Sequence, residues 1–263
     1  MAEILLLGFH DKAAAATLSG GTWAIALTKA QDPRPGIYAR SANLTLAATQ
    51  FNVDLGASYT FRMLVVAATN LTSAALYRIT RYSDAFVTVI DNTGWLSVPG
   101  YPAYDYDARG VDLCHIYAAD TAARYWTFEF NDTANSAGYI KIGRLFMPET
   151  WTAPYIFGTG NSDIIEVNTA RTNSLGGTGY FQRRKPVRGL RVSWDIAADS
   201  TLPDIRRLRA YSGTDKQVFV IPNPDDTANY NYRNFLATIR TPPEIALLPA
   251  SHGSFGFDLV EAV

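Results

Sequence analysis

The sequence has few of the residues that act through sulfur, metal coordination or concentrated charge. Its 263 residues include one cysteine, Cys114, three histidines and only 18% charged side chains. A single cysteine excludes an intramolecular disulfide and a thiolate metal cluster, so we interpret Cys114 as a small buried apolar side chain. The formal net charge of −1 provides no general attraction to nucleic acid, which is not expected as a partner.

Motifs of catalysis are also missing. His10, His115 and His252 are scattered without a metal-ligand spacing, and each is interpreted as a surface or core histidine. The sequence contains no nucleophile elbow, no P-loop and no dinucleotide-binding glycine motif. Residues 175–179 are glycine-rich, but no Lys-Ser/Thr follows them, which favours a flexible hairpin over a phosphate site. We therefore expect no enzyme, no cofactor and no metal site.

The first residues give no sign of a membrane or secretion signal. The apolar run within residues 1–7 is interrupted by Glu3 and has no basic flank. It is too short to cross a bilayer, so a membrane partner is not expected. Together with the scarcity of cysteine, this predicts folding in a cytoplasm.

What the sequence does contain is a strong β pattern. Hydrophobic residues make up 48% of the chain and aromatic residues 13%. Period-two alternation is typical of half-buried strands, and it recurs in triplets such as Phe51, Val53 and Leu55 or Trp126, Phe128 and Phe130. Many short strands with polar turns between them predict an all-β fold with few short helices and a jelly-roll sandwich.

Individual elements follow from the turn signals. Strands are predicted over residues 51–55, 59–66, 86–90 and 139–147, the first two separated by a turn at Gly56. One short helix is predicted from about Thr201 to Tyr211. Pro203 lies in its first turn and Gly213 lies past its end, as helix termini favour.

The composition changes near Pro148–Pro154. Residues 1–150 carry eleven basic and thirteen acidic side chains, whereas residues 151–263 carry twelve and eleven. We therefore predict two domains, a jelly roll over 1–150 and a smaller β-rich assembly domain over 151–263.

Two loops are candidates for ligand binding at one end of the sandwich. An acidic cluster, Asp105, Asp107 and Asp112, is interpreted as a solvated loop, a calcium-type site or the rim of a ligand site. Trp95 and the neighbouring tyrosines are either buried or form a platform on which a sugar stacks. The candidate ligand residues on loops 32–40 and 95–112 are Arg34, Arg40, Trp95, Tyr104, Asp105 and Asp107.

A basic stretch in the second half is the strongest charge feature. Between Arg171 and Arg209, nine basic residues stand against three acidic ones. The alternatives are phosphate binding, a solvated hairpin, or pairing with carboxylates of a neighbouring subunit. For the last, the predicted subunit-interface residues are Arg183, Arg184 and Arg188, with Tyr180 and Phe181 supplying apolar contact.

Several segments resemble the discoidin-type, galactose-binding jelly roll. The segment Phe51-Asn52-Val53-Asp54-Leu55-Gly56 and the strand at 59–66 are similar to a strand, turn and strand of that family. Residues 124–130 and 138–145 are similar to its final strand pair, and residues 32–36 stand where it has an early ligand-side loop. The resemblance covers about residues 10–147, without the family's frequent bridging cysteines. It implies a carbohydrate-binding module that contacts host surface glycans as the alternative function.

The remainder resembles the small hub domain of tailed-phage distal tail proteins. The similarity rests on Arg183-Arg184, the strand 191–194, the helix 204–209 and the strand 218–222. It implies a structural virion protein of a tail tip or baseplate, folded in the host cytoplasm, that connects the tail tube to the adhesion apparatus. The implied partners are other baseplate proteins, a glycan, and further copies of the chain in a ring, hexameric or alternatively trimeric.

Overall fold

The computed structural model describes residues 5–98, 111–153, 162–167, 169–173, 176, 179–182, 186–248 and 252–262. The strands of the first 153 residues are β1 (Leu6–Asp11), β2 (Thr17–Ser19), β3 (Trp23–Ile25), β4 (Ala39–Ser41), β5 (Phe51–Thr69), β6 (Leu76–Tyr82), β7 (Val89–Asn92), β8 (Leu96–Ser97), β9 (Val111–Asn131), β10 (Lys141–Ile142), β11 (Arg144–Phe146) and β12 (Pro148–Thr152). The later strands are β13 (Ser162–Glu166), β14 (Ala170–Asn173), β15 (Gly179–Gln182), β16 (Val187–Ala198), β17 (Gln217–Ile221), β18 (Phe235–Thr241), β19 (Ala246–Leu248) and β20 (His252–Glu261).

Helices are few and short in the described part of the chain. The α-helices are α1 (Leu46–Thr49), α2 (Leu202–Ser212) and α3 (Tyr230–Arg233). Single 3-10 turns lie at Ala13–Ala15, Leu27–Gln31, Asp199–Thr201 and Thr227–Asn229. None of these helices has the length and apolar character needed to cross a membrane.

The chain forms two compact units. The first consists of residues 1–153 together with Phe219–Phe235, and the second consists of residues 154–218 and 236–263. The chain first passes from one unit to the other between Ala153 and Pro154, inside the interval Pro148–Pro154 where the composition changes. The return of residues 219–235 to the first unit has no counterpart in the division into domains 1–150 and 151–263, which stays a prediction.

The first unit is built on one large antiparallel sheet. Its strand order is β11-β5-β9-β6-β7, with β2 paired to β5 and β8 paired to β6. A small sheet, β10-β4-β3, and the pairings of β1 with β12 and β17 complete the strands of this unit. Close approach of β1 requires a glycine, because a Cβ at Gly8 would lie 2.5 Å from Cγ of Pro148.

An aromatic core fills the first unit. Phe51, Phe61, Trp126 and Phe128 are buried on the large sheet, where the rings of Phe51 and Phe128 stack at 5.2 Å. They join one apolar cluster with the small sheet and the 3-10 turns, including Leu27, Ala30, Ala39, Ile140 and Ile142. The two layers confirm the predicted all-β class with a sandwich and few short helices.

Predicted strand boundaries are wrong at three places. The strand predicted over 86–90 begins only at Val89 and runs to Asn92. The turn predicted at Gly56 is an irregularity inside the continuous strand β5, where the register with β9 shifts between Asp54 and Tyr59. Gly56 adopts a φ of 76°, and its N–H donates to Asp54 Oδ1, so the chain deviates locally and continues as a strand. The strand predicted over 139–147 is divided at Gly143 into β10 and β11. This position requires glycine, because a Cβ there would lie 2.6 Å from that of Ala68.

The second unit contains a smaller antiparallel sheet and the helix α2. Its strand order is β18-β20-β16-β13, with β19 also paired to β20, while β14 and β15 pair with each other. Trp194 and Phe255 stack at 4.9 Å in its interior. The predicted helix is confirmed, because α2 begins at Leu202 and ends before Gly213, which has a φ of 50°.

Candidate functional site

A cleft of about 590 Å³ lies within the first unit, and we call it the bulge cleft. Strands β5, β6 and β9 form its base and the segment 224–230 forms one side. The lining side chains are Leu6, Arg62, Tyr77, Cys114, His115, Ile116, Tyr117, Ala118, Thr152, Pro224, Asp225, Thr227 and Tyr230. This volume is of the size that small-molecule ligands occupy in proteins.

A large β-bulge creates the space. Phe61 pairs with Thr121 and Met63 pairs with Ile116, so two steps along β5 match five steps along β9. The extra residues, Tyr117 to Asp120, therefore leave the pairing opposite Arg62. Bulges of this kind redirect side chains that a regular ladder would alternate between the two faces of the sheet.

Aromatic rings form one wall of the bulge cleft. The ring centres of His115 and Tyr117 are 4.5 Å apart at an interplanar angle of 82°, and Tyr77 lies edge-on to His115 at 5.9 Å. The Tyr77 hydroxyl and His115 Nδ1 share a hydrogen bond of 3.1 Å. Tyr117 also contacts Trp126 of the core. The wall is therefore held rigidly by the sandwich beneath it.

Burial sets the charge state of this wall. It lowers the pKa of His115 to about 4, against a smaller opposing effect of Asp91. Burial also raises the pKa of Tyr77 and of Tyr117 above the ordinary value for a phenol. At neutral pH the wall is consequently uncharged, and its polar atoms serve as hydrogen-bonding groups.

Two side chains of opposite charge line the same cleft. The Nε atom of Arg62 is buried and has no hydrogen-bond partner among the described residues. Asp225 is exposed, and its backbone N–H is held by Asn223 Oδ1 at 2.9 Å in a turn. No ion pair within the described residues joins Arg62 to Asp225. The bulge cleft thus presents a cationic donor and an anionic acceptor beside an aromatic wall.

The segment 219–235 is anchored firmly enough to serve as a wall. Tyr230 is buried, and its hydroxyl forms a hydrogen bond with the Cys114 thiol. The backbone N–H of Asp112 donates to Asn231 Oδ1 at 3.2 Å. Burial raises the pKa of Cys114, so the thiol is protonated and unreactive at neutral pH, in keeping with its interpretation as a buried apolar side chain.

The described ligand residues from the sequence each have their own partner. Arg34 pairs with Asp32 at 2.9 Å, and Arg40 lies over the Tyr139 ring at 5.1 Å. Trp95 is partly exposed, and the Arg78 guanidinium lies 4.6 Å from its ring centre. The described contacts do not bring these three side chains together, and their role in ligand binding stays a prediction.

The residues predicted for a subunit interface differ in solvent exposure where the structure describes them. Tyr180 and Phe181 are both 63% exposed on β15. Arg188 is buried and pairs with Glu261 of the same unit, its Nη2 donating to Oε1 at 2.6 Å. Its guanidinium thus already has an intramolecular carboxylate partner, and the predicted interface role of Arg188 would require that pair to open.

Several predicted residues lie outside the described part of the chain, namely Tyr104, Asp105, Asp107, Arg183 and Arg184. Asp112, the remaining member of the acidic cluster, is buried, and its carboxylate accepts a hydrogen bond from the Ala68 N–H at 2.8 Å. It therefore serves the fold of β5 and β9. No group of three or more His, Cys, Asp or Glu in the described ranges is placed to hold a metal ion.

Sequence reasoning did not identify the bulge cleft. Arg62 reads as an ordinary strand residue and His115 as a surface or core histidine, and nothing marks the length of the bulge between them. The one available signal is the sequence 117–124, where four alanines and Asp120 interrupt the apolar alternation between Tyr117 and Trp126. Asp225 and Tyr230 are more than a hundred residues away in the chain.

Comparison with known proteins finds similarity in structure only. No protein-family model and no curated protein sequence matches the chain. A family 32 CBM from C. perfringens NanJ, solved in complex with galactose, has 10% identity and a TM-score of 0.39, covering 54% of this chain and 99% of its own. An F-lectin (fucolectin) from striped bass, Morone saxatilis, has 13% identity and a TM-score of 0.38, covering 95% and 92%.

A third structure is a GH29 fucosidase of Ruminococcus gnavus in complex with fucose. It has 11% identity and a TM-score of 0.39, and the similar region covers 55% of this chain. The chain spans only 28% of the fucosidase's length. None of these three proteins is a phage tail component, and similarity at this level assigns neither a family nor an activity to the chain.

Proposed function

We propose that the chain is a non-catalytic carbohydrate-binding protein that holds a sugar in the bulge cleft. The observation that carries the proposal is the combination of Arg62 and Asp225 with the aromatic wall of Tyr77, His115 and Tyr117. A sugar offers C–H faces that pack on aromatic rings and hydroxyls that both donate and accept hydrogen bonds.

The charges favour a neutral, hydroxyl-rich ligand. A bound cation would be repelled by Arg62, and a bound anion would be repelled by Asp225. Hydroxyl groups satisfy both, because they accept from the guanidinium and donate to the carboxylate. The pair is thus better matched to a neutral sugar than to a phosphate or an amine.

The residues that line the bulge cleft favour sugar binding without hydrolysis. Glycoside hydrolysis ordinarily uses two carboxyl groups that flank the scissile bond. Among the described residues that line it, the bulge cleft has one carboxylate, Asp225, and a histidine that is neutral at physiological pH.

The first experiment is a glycan array, followed by calorimetric titration with free monosaccharides that include galactose and fucose. We expect binding to the wild type, loss of at least tenfold in affinity for Tyr117→Ala, and a similar loss for Arg62→Gln. Trp95→Ala is the matched control, since it removes an aromatic side chain from the loop end predicted from the sequence. Binding that survives Tyr117→Ala and is lost in Trp95→Ala would place the sugar on that loop instead of in the cleft.

A structural role in a phage tail tip is the second candidate. The observation in its favour is that Tyr180 and Phe181 lie exposed on β15, as a subunit-interface hairpin requires. Localisation in a virion, a ring of copies and contact with the tail tube are parts of this candidate. Electron microscopy of the purified protein tests it, with rings expected and dispersed single copies contradicting it.

A further inference from the structure

The second unit has two unlike outer strands. Strand β13 pairs only with β16, and β19 pairs only with β20, among the described strands. Because β16 and β20 pair with each other between them, β13 lies on the β16 side of this sheet and β19 lies on the far side of β20, where β18 also pairs. Unpaired edges are places where a second chain can add, unless charges or bulges prevent it.

The edge at β19 borders a basic and apolar groove. Arg206 and Arg209 of α2, with Ala210, Ile245 and Leu247, line an open cleft of about 440 Å³. Residues three apart on a helix share a face, so the two guanidinium groups lie side by side. Neither has an ion-pair partner among the described residues. Leu247 is 71% exposed, which leaves an apolar side chain in water beside these two cations.

The outer strand β13 carries acidic and apolar side chains, which complement the basic and apolar groove beside β19. Asp163, Ile165 and Val167 alternate along the chain and all three are exposed, while the residues between them are partly buried. Alternate residues of a strand point to the same side, so Asp163 and Ile165 share a face of β13, and Val167 follows directly after the last strand residue. Ile165 is 56% and Val167 is 67% exposed. Asp163 has no described partner.

We propose that the second unit binds a second copy of this chain head to tail, with the β13 face of one copy seated in the basic groove of the next. Asp163 pairs with Arg206 and Arg209 of the neighbour, and Ile165 and Val167 pack against Ile245 and Leu247. The two surfaces differ from each other, so the contact is heterologous. Such contacts repeat and give a closed ring or a filament, whereas a twofold dimer would use one surface twice.

The experiment is sedimentation velocity of the full chain over a concentration series, with charge-swap variants. Wild type is expected to form species larger than a dimer. Asp163→Arg is expected to stay monomeric, and so is the double variant Arg206→Glu with Arg209→Glu. Combining all three changes in one chain restores the opposite charges across the contact and is expected to restore assembly. Asp195→Arg is the matched control, because Asp195 is exposed on β16 beyond its pairing with β13 and undergoes the same charge change.

Four results would overturn the proposal. Three of them are a wild type that is monomeric at every concentration, a wild type that stops at a dimer, and an Asp163→Arg variant that assembles like Asp195→Arg. Failure of the triple variant to assemble, when each partial variant is monomeric and folded by circular dichroism, would show that the two surfaces do not face each other. Sugar binding by the first unit is measured separately and does not depend on any of these outcomes.

Discussion

The Tyr77 hydroxyl and His115 Nδ1 are joined by a hydrogen bond of 3.1 Å in the wall of the bulge cleft. This bond belongs to a site where burial lowers the pKa of His115 from 6.5 to about 4. As pH falls, the unfolded chain therefore takes up a proton on this histidine before the folded chain does. The stability that depends on neutral His115 is fully present above about pH 6.5 and decreases as pH falls towards 4.

The first prediction concerns His115→Gln, which removes this titration. Between pH 7 and pH 4 the wild type should lose about 3 kcal/mol more of its free energy of unfolding than the variant, since one pKa unit corresponds to about 1.4 kcal/mol. Urea unfolding of both proteins at the two pH values measures the difference. Equal losses in the two proteins would mean that His115 is not buried in its neutral form.

The second prediction concerns the segment that crosses back from the second unit. A fragment of residues 1–153 lacks Phe219, Val220 and Ile221, which pair with β1 and are fully buried. It should unfold with low cooperativity because the apolar surface under these residues is exposed to water. Joining residues 219–235 to the fragment through a flexible linker should restore a sharp thermal transition. A fragment 1–153 that already unfolds as cooperatively as the joined form would contradict this.

The third prediction concerns a buried ion pair. Arg144 Nη2 lies 2.5 Å from Asp11 Oδ2, and Asp11 Oδ1 also accepts hydrogen bonds from the backbone of Ala13 and Met147. Burial outweighs the attraction of Arg144 and raises the pKa of Asp11. Arg144→Met should cost about 3–5 kcal/mol, because it leaves a buried carboxylate without its cation. Chemical denaturation at neutral pH measures this loss.

The control for Arg144→Met is Arg34→Met, which removes the same kind of side chain from an exposed pair with Asp32. Solvent and salt screen such a pair, so stability should not change measurably. A similar loss of stability in both variants would show that burial is not the source of the effect at Arg144.

Much of the fold is predictable from the sequence because it depends on local alternation. Phe51, Val53, Trp126 and Phe128 are fully buried on one sheet, as their period of two indicates. The helix predicted from about Thr201 to Tyr211 follows equally from the proline in its first turn and the glycine past its end. These patterns involve residues that are close together in the sequence, and the elements that they predict are present in the folded protein.

The bulge cleft is not predictable in this way. It depends on the length of the bulge in β9 opposite Arg62. It also depends on the segment 219–235, which carries Tyr230 and belongs to the first unit although it is distant in sequence. Neither feature follows from a local sequence pattern. The conformation at Gly56 is also not predictable from the local sequence. A glycine between two apolar alternating segments predicts a turn, but pairing with β9 on both sides keeps the strand continuous.

The most direct test of sugar binding in the bulge cleft is the NMR signal of the His115 imidazole during titration with the sugar that the array selects. The account predicts that this signal shifts and saturates at the dissociation constant that calorimetry gives, while the Trp95 indole signal stays constant. Binding by calorimetry with an unchanged His115 signal, and with a shift at Trp95, would contradict it.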